Sequence, residues 1–237
     1  MLSYDNVTIT EATLLQKELA SKISLAPLDG PIRTIAGADI SFNRFSPVVY
    51  AGIVVLSYPD LRPLAHSLVM AETHFPYVSG YLAFREMPAL QQAWDQLPHK
   101  PDVVVLDGQG ITHPRRLGIA SHFGVLNQQS AIGCAKSMLY GRYEEPEWKK
   151  LSSSVIYGRN NESLGFALRT KDRVKPIFIS PGHLINSKQS LDIIKKCVRG
   201  YRIPEPTRIA HNTVNLFRTG ELEAGYVEYP ATDSVDS

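Results

Sequence analysis

Residues 101–124 read PDVVVLDGQGITHPRRLGIASHFG, and the fold follows from how this stretch is parsed. Four apolar residues follow Pro101-Asp102, a run that reads as a buried strand because it is too short to stand as a helix. Asp107 closes that strand. Gly108 and Gly110 then allow a sharp turn and a close approach of backbone to a ligand, and the same turn carries His113 and Arg115-Arg116. Open α/β sheets bind ligands beyond the carboxyl ends of their strands, which is where Asp107 stands. Taken alone, such an acid is also compatible with a simple cap of the next helix or turn.

A second acid in a similar setting favours chemistry. The segment TIAGADISF, residues 34–42, is small and apolar, yet Asp39 sits at its centre. A carboxylate in mid-strand is costly unless it is paired, hydrogen-bonded or bound to a cation. A bulge or a sheet end that leaves Asp39 in water is the alternative. Glu86, in Leu82-Ala83-Phe84-Arg85-Glu86, stands where an apolar stretch turns helical. On its own it reads as a solvated helix residue or a partner of Arg85. Three carboxylates meeting at one point make most sense around Mg²⁺ or Mn²⁺, hard cations that prefer oxygen ligands.

The rest of the chain supplies a frame for those acids. A helix is expected from about Thr10 to Ile23, with Leu14, Leu15, Leu19 and Ile23 on one side. Strands are expected near 34–42, 48–57 and 64–73, joined by connections too short for a crossover, hence an antiparallel meander. A helix over 81–97, interrupted at Pro88, leads into the strand at 103–107, and a helix near 117–128 leads into 131–135. Units of this kind favour parallel pairing with right-handed crossovers. Two further strands (164–168 and 176–180), a helix from Ser187 to Val198 with Ser187 as its cap, and a helix from Thr207 to Phe217 complete the reading. Three antiparallel strands followed by two parallel ones, flanked by helices, form the mixed central sheet of a ribonuclease H-like α/β fold. That outline puts Asp39 and Asp107 on neighbouring central strands.

Length and composition fit one folded domain over residues 1–230, with a loose polar tail at 231–237. The formal net charge of +2 is nearly balanced, so any basic surface must be local. The first residues, MLSYDNVTITEA, lack a basic start and an apolar core, and no apolar run approaches the roughly 20 residues that span a bilayer. A cytoplasmic location with no membrane partner is expected. Cys134 and Cys197 lack metal-ligand spacing and read as buried thiols. No segment is heptad-patterned, so a monomer is expected.

Five motifs in order resemble the endonuclease V family, the deoxyinosine-directed nucleases, from about Thr10 to His211. They are GADISF at 37–42, PYVSGYLAFRE at 76–86, the stretch from Asp107 through Gly124, GCAK at 133–136 and GYRIPEPTR at 200–208. The resemblance implies Mg²⁺-dependent hydrolysis, with Mn²⁺ able to substitute, of the second phosphodiester bond 3′ to deoxyinosine in DNA, leaving a 3′-hydroxyl and a 5′-phosphate. By likeness Asp39 and Asp107 are metal ligands, Glu86 completes the acidic site directly or through water, and Lys136 is the catalytic lysine. His211 falls at a position that is His or Asp near the metal. Pro76, Tyr77 and Val78 match a strand-separating wedge, with Tyr77 as an aromatic that stacks where a base has been extruded. Gly80, Leu82, Gly108, His113 and Gly118 are expected around a base pocket, although His113 is also compatible with a turn residue satisfied by backbone. Arg115 and Arg116, with Arg202 and Arg208, are expected at phosphates, although as isolated arginines they are also compatible with ion-paired surface residues.

The chain departs from the family pattern at Ser79, where a second proline is common, and at Gln109, where many members have a histidine. Two other readings stay open: cleavage of inosine-containing single-stranded RNA, and a non-catalytic module that binds deaminated bases.

Overall fold

The computed structural model describes residues 2–43 and 46–230; the tail expected to be loose, 231–237, lies outside the described residues. In chain order, α1 (Ile9–Ser21) precedes β1 (Thr34–Phe42), β2 (Val48–Ser57) and β3 (Pro63–Glu72). Next, α2 (Leu82–Gln96) leads into β4 (Val103–Leu106), and α3 (Ile119–Asn127) into β5 (Ala131–Ala135). Then come β6 (Arg142–Tyr143), β7 (Ser153–Tyr157), β8 (Ser163–Leu168), β9 (Ile177–His183), α4 (Ser187–Lys196), α5 (Glu205–Arg218) and β10 (Gly225–Glu228).

The expected centre is present. β1, β2 and β3 form an antiparallel meander, β4 runs parallel to β1, and β5 runs parallel to β4. The sheet then continues well past those five strands, to ten among the described residues, in the order β10-β3-β2-β1-β4-β5-β9-β8-β7-β6. β8 and β9 answer to the two later strands expected from sequence. β6, β7 and β10 are not legible there, being short and without an alternating apolar pattern.

Successive side chains on the central strands face opposite sides of the sheet. Ala36, Ala38, Val104 and Leu106 face one core layer with Phe84, Met87 and Leu90 of α2 and Phe123 of α3. Ile35, Val103 and Val105 face the other, with Ile193 and Ile194 of α4 and Ala210 of α5. The odd-numbered residues of β1 therefore look toward α5, and Asp39 is one of them.

Four local expectations are corrected. Leu14, expected on the packed side of α1, is 60% exposed; Leu19 is buried as expected, and Ala12 and Gln16 join it. The helix starts a residue earlier than expected, at Ile9, because Thr8 and Glu11 form a reciprocal capping box. α2 runs through Pro88 without a break, since burial of Phe84, Met87 and Leu90 holds the turn whose hydrogen bond the proline cannot make. Asn186, not Ser187, caps α4, its side chain accepting from the Gln189 N–H.

Candidate active site

The parallel register pairs Ala38 with Leu106, so the next residue on each strand, Asp39 and Asp107, emerges side by side. The Asp107 N–H donates to the Ala38 carbonyl at 3.1 Å and fixes that juxtaposition. Glu86 reaches the same place from the start of α2, and Lys136 from the residue after β5. All four line a pocket of about 350 Å³. Lys136 Nζ donates to Asp107 Oδ2 at 2.5 Å.

His211 comes from α5. Its Nδ1 lies 2.8 Å from Asp39 Oδ2, while Nε2 is 3.1 Å from Asn215 Nδ2. With the Asn215 amide donating to Nε2, Nδ1 carries the proton and donates to Asp39. The close approach of α5 depends on Gly37: a Cβ at that position would lie 1.8 Å from the Pro206 carbonyl oxygen. Asn215 also accepts from Ser41 Oγ at 3.1 Å, tying the α5 turn that bears His211 to the end of β1. Asn215 gives no signal in the sequence, since an asparagine on an amphipathic helix looks like any solvated residue.

Electrostatically the pocket is strained toward negative charge. Burial pushes the Glu86 carboxyl up to about 8, and repulsion from Asp39 and Asp107 adds to the shift, with Arg85 partly offsetting it. Asp39 is also raised, by burial first and by Asp107 second, while its hydrogen bond from His211 pulls it back. A divalent cation would relieve this repulsion. Ligand atoms of Asp39, Asp107 and His211 all lie within 4.8 Å of one another, close enough to share one ion. Glu86 stands outside that trio, on the wall of the same pocket. Two carboxylates and an imidazole fit a hard to borderline divalent ion. Ligation by His211 Nδ1 requires the other tautomer of the ring.

A second cavity, of about 230 Å³, opens beside the first and shares Glu86, Asp107, Gly108 and Ser137 with it. Gly80, Leu82, Gly108, His113 and Gly118, expected from sequence to form one pocket, all line it. Gly80 turns the chain at φ +81°, a conformation L side chains rarely adopt. Its carbonyl accepts from Gln16 Nε2 at 2.8 Å and from Arg115 Nη2 at 2.9 Å. His113 has a defined tautomer: Nδ1 accepts from the Arg115 N–H at 3.2 Å, so Nε2–H donates to the Gly80 carbonyl at 3.1 Å. Burial, then the Arg115 charge, lowers His113 to about 4, so the ring is neutral at pH 7. It is thus satisfied by backbone and lines the cavity at once.

Pro76, Tyr77 and Val78 lie apart from both cavities. Tyr77 is 66% exposed and tilts against Phe42, ring centroids 6.1 Å apart, at the rim of a cleft that also includes His74 and Arg85.

The four arginines each have partners within the protein. Arg115 donates to Gln16 and Gly80 and stacks over Tyr81. Arg116 pairs with Glu162 and lies over Tyr140. Both guanidinium groups brace the glycine-rich turn, because their flanking carbonyls, acid and rings outcompete solvent in half-buried positions. Arg202 donates to the Lys136 and Pro176 carbonyls at 2.8 and 3.0 Å, steadying the residue that carries the lysine. Arg208 pairs with Glu205. Gln109, at the departure in the glycine-rich turn, donates to the Ser137 carbonyl at 2.7 Å.

A ribonuclease H-like sheet with paired aspartates on adjoining central strands, a third carboxylate and a lysine at their carboxyl ends defines a metal-dependent nuclease. Comparison with known proteins narrows the class. The family model described as Endonuclease V matches residues 17–212, and the chain belongs to the endonuclease V family. Endonuclease V of Dehalococcoides mccartyi is 46% identical over 87% of this chain and 92% of its own length. The crystal structure of endonuclease V from Streptomyces avermitilis superposes with a TM-score of 0.85 at 36% identity, covering 90% of this chain and 94% of that one. Endonuclease V of Ciona intestinalis, in complex with a 24-mer DNA containing an inosine followed by a ribo-adenosine, aligns with a TM-score of 0.79 at 30% identity, covering 90% and 99% of the two chains.

Proposed function

We propose that this protein is a repair endonuclease that hydrolyses the second phosphodiester bond 3′ to deoxyinosine, leaving a 3′-hydroxyl and a 5′-phosphate. The observation that carries the reading is the union of two cavities, one acidic and one lined by Gly80, Leu82 and a neutral His113, that share Glu86 and Asp107. A flipped purine seated in the second cavity would present the 3′ side of its strand to the first. The Ciona relative, bound to inosine-containing DNA, supports the choice of base.

Asp39, Asp107 and His211 would hold a divalent cation, Mg²⁺ or Mn²⁺. When bound, such an ion lowers the pKa of a water nucleophile and neutralises charge on the phosphate and leaving oxygen. The protein's own part is positional. Lys136 reaches the pocket beside Asp107 and offers N–H donors to a phosphate oxygen once the cation takes over that carboxylate. Glu86, on the wall shared by the two cavities, would face the attacking water. Tyr77, exposed and braced on Phe42, fits a wedge that fills the gap left by an extruded base. The Arg115–Gln16–Gly80 contacts keep the base cavity open before substrate arrives. Action as a monomer in the cytoplasm belongs to the same reading; no helix among the described residues is long and apolar enough to cross a membrane.

A second reading, cleavage 3′ to inosine where the strand is RNA, is favoured by one observation: the base after inosine in the Ciona complex sits on a ribose. One experiment addresses both. Matched DNA and RNA oligonucleotides bearing a single inosine are incubated with wild type and with Asp39→Ala in Mg²⁺. The expected outcome is a nick in the DNA at the second phosphodiester on the 3′ side of inosine, absent with the variant. Stronger cleavage of the RNA would install the second reading, and nicking by Asp39→Ala would remove both.

A further inference from the structure

The base cavity has a third neighbour. Leu139 lines it and also lines a groove of about 500 Å³ formed by the segment entering β6 and the turn between β7 and β8. Tyr140, Arg142, Tyr157 and Arg159 form the walls of that groove. Nothing in the proposed chemistry uses these residues.

Their character suits a strand of nucleic acid. Arg142 lies 5.5 Å from the Tyr157 ring centroid, over its face, and donates to Asn161, which leaves most of its five N–H donors free. Arg159 is exposed. Tyr157 is 37% exposed, and with Arg142 over its ring it sets an aromatic and a cation together on the groove wall. Glu162, the acid near this surface, is engaged by Arg116 and by the Asn160 N–H at 2.9 Å, so it does not cancel the arginine charge. The turn is also rigid. Gly158 N–H donates to the Glu162 carbonyl at 2.9 Å, and Asn161 holds a left-handed φ of +61°. Aromatic faces alternating with cations, on a fixed backbone, are what single-stranded nucleic acid binds by stacking and charge.

The order of the three cavities gives the groove a polarity. The base cavity shares walls with the acidic pocket on one side and with the groove on the other, while the groove and the acidic pocket share none. If the bond cut lies 3′ to the seated base, the strand leaves the base cavity toward the groove in the 5′ direction. We propose that the Tyr140–Arg142–Tyr157–Arg159 groove binds the nucleotides immediately 5′ to the lesion base on the strand that is cut, an assignment that rests on the inosine reading above.

The test uses the full chain and a set of single-stranded inosine oligonucleotides with a constant long 3′ flank and a 5′ flank shortened stepwise to none. For wild type, KM is expected to rise about tenfold when the 5′ flank is removed, as for removal of a stacked base, with kcat largely kept. Arg142→Ala/Arg159→Ala is expected to raise KM on the long substrate to that same level and to be indifferent to further 5′ shortening. Its log–log salt slope should be shallower by about 0.7 for each phosphate it no longer neutralises. Arg159→Ala alone, at an exposed turn position, guards against a folding defect and should give part of the effect. Wild-type cleavage that ignores the 5′ flank, or a double variant that still responds to it, would overturn the assignment alone. No cleavage by wild type at inosine in any of these strands, or in the matched duplex, would overturn the inosine reading and this assignment with it.

Discussion

Lys136 and Asn215 act on the same pocket through different physics, and each can be isolated. Lys136 donates to Asp107 at 2.5 Å and, in the proposed reaction, would donate to a phosphate instead. Removing one such donor typically lowers kcat about 10²–10³-fold, so Lys136→Ala is expected to lose that much kcat with a small change in KM and in melting temperature. Equal losses in stability and rate would point to a purely structural lysine. Asn215 touches no expected substrate but orients His211 through Nε2, and with its amide turned over it would accept from Nε2–H in the tautomer that ligates through Nδ1. Loss of a partner that orients a metal ligand typically costs about 10- to 100-fold in metal affinity. Titration of Asn215→Ala with Mn²⁺ should show that weakening, and rate at saturating metal should largely recover. At this scale the aspartates are legible in the sequence and the histidine much less so. A carboxylate inside TIAGADISF contradicts its surroundings, whereas a polar residue on the outer face of a helix contradicts nothing. Arg115 is ambiguous for the reciprocal reason: a cation in a glycine-rich turn looks free for phosphate, and the Gln16 side chain and Gly80 carbonyl that it bonds come into view only in the structure.

Elements matter here through how closely they approach. α5 lies against β1 because Gly37 leaves the Pro206 carbonyl room, at a place where a Cβ would come within 1.8 Å. Since the obstacle is backbone, Gly37→Ala must push the start of α5 outward. Overpacking of this kind costs typically about 1–3 kcal/mol, and it should also move His211 off Asp39. The variant is expected to unfold at lower denaturant, to bind Mn²⁺ more weakly and to keep its helix content by circular dichroism. Wild-type stability and metal affinity together would mean that α5 is free to yield. The strand meander and the β-α-β order are readable because connection length and apolar period both constrain them. Pro88 misleads because a proline's local penalty is visible in sequence while the burial of Met87 and Leu90 beside it is not. β6 and β10 carry two and four residues, too few for any period to register, and they exist because a neighbouring strand offers an edge.

The molecule as a whole stores the repulsion of its acidic pocket as a pH-dependent stability. Burial, then the charges of Asp39 and Asp107, disfavours the Glu86 anion in the folded protein and pushes its carboxyl from the ordinary 4.5 up to about 8. Between those two values the folded state binds more protons than the unfolded state. Stability from this group is therefore full below pH 4.5 and declines as pH rises toward 8. In chelator, the melting temperature should fall across that window, and Glu86→Gln should flatten the fall. A divalent cation reverses the sign: it binds the deprotonated pocket, so its affinity should rise with pH and its binding at pH 7 should release protons. Calorimetric titration with Mg²⁺ in two buffers of different ionisation enthalpy reads that release directly. At a free concentration of about 100 times Kd the ion contributes about 2.7 kcal/mol to folding, so with saturating Mg²⁺ the decline with pH should largely disappear. A melting temperature that rises with pH in chelator, or metal uptake without proton release, would show that Glu86 is already ionised and that the pocket is not strained in the way its burial implies.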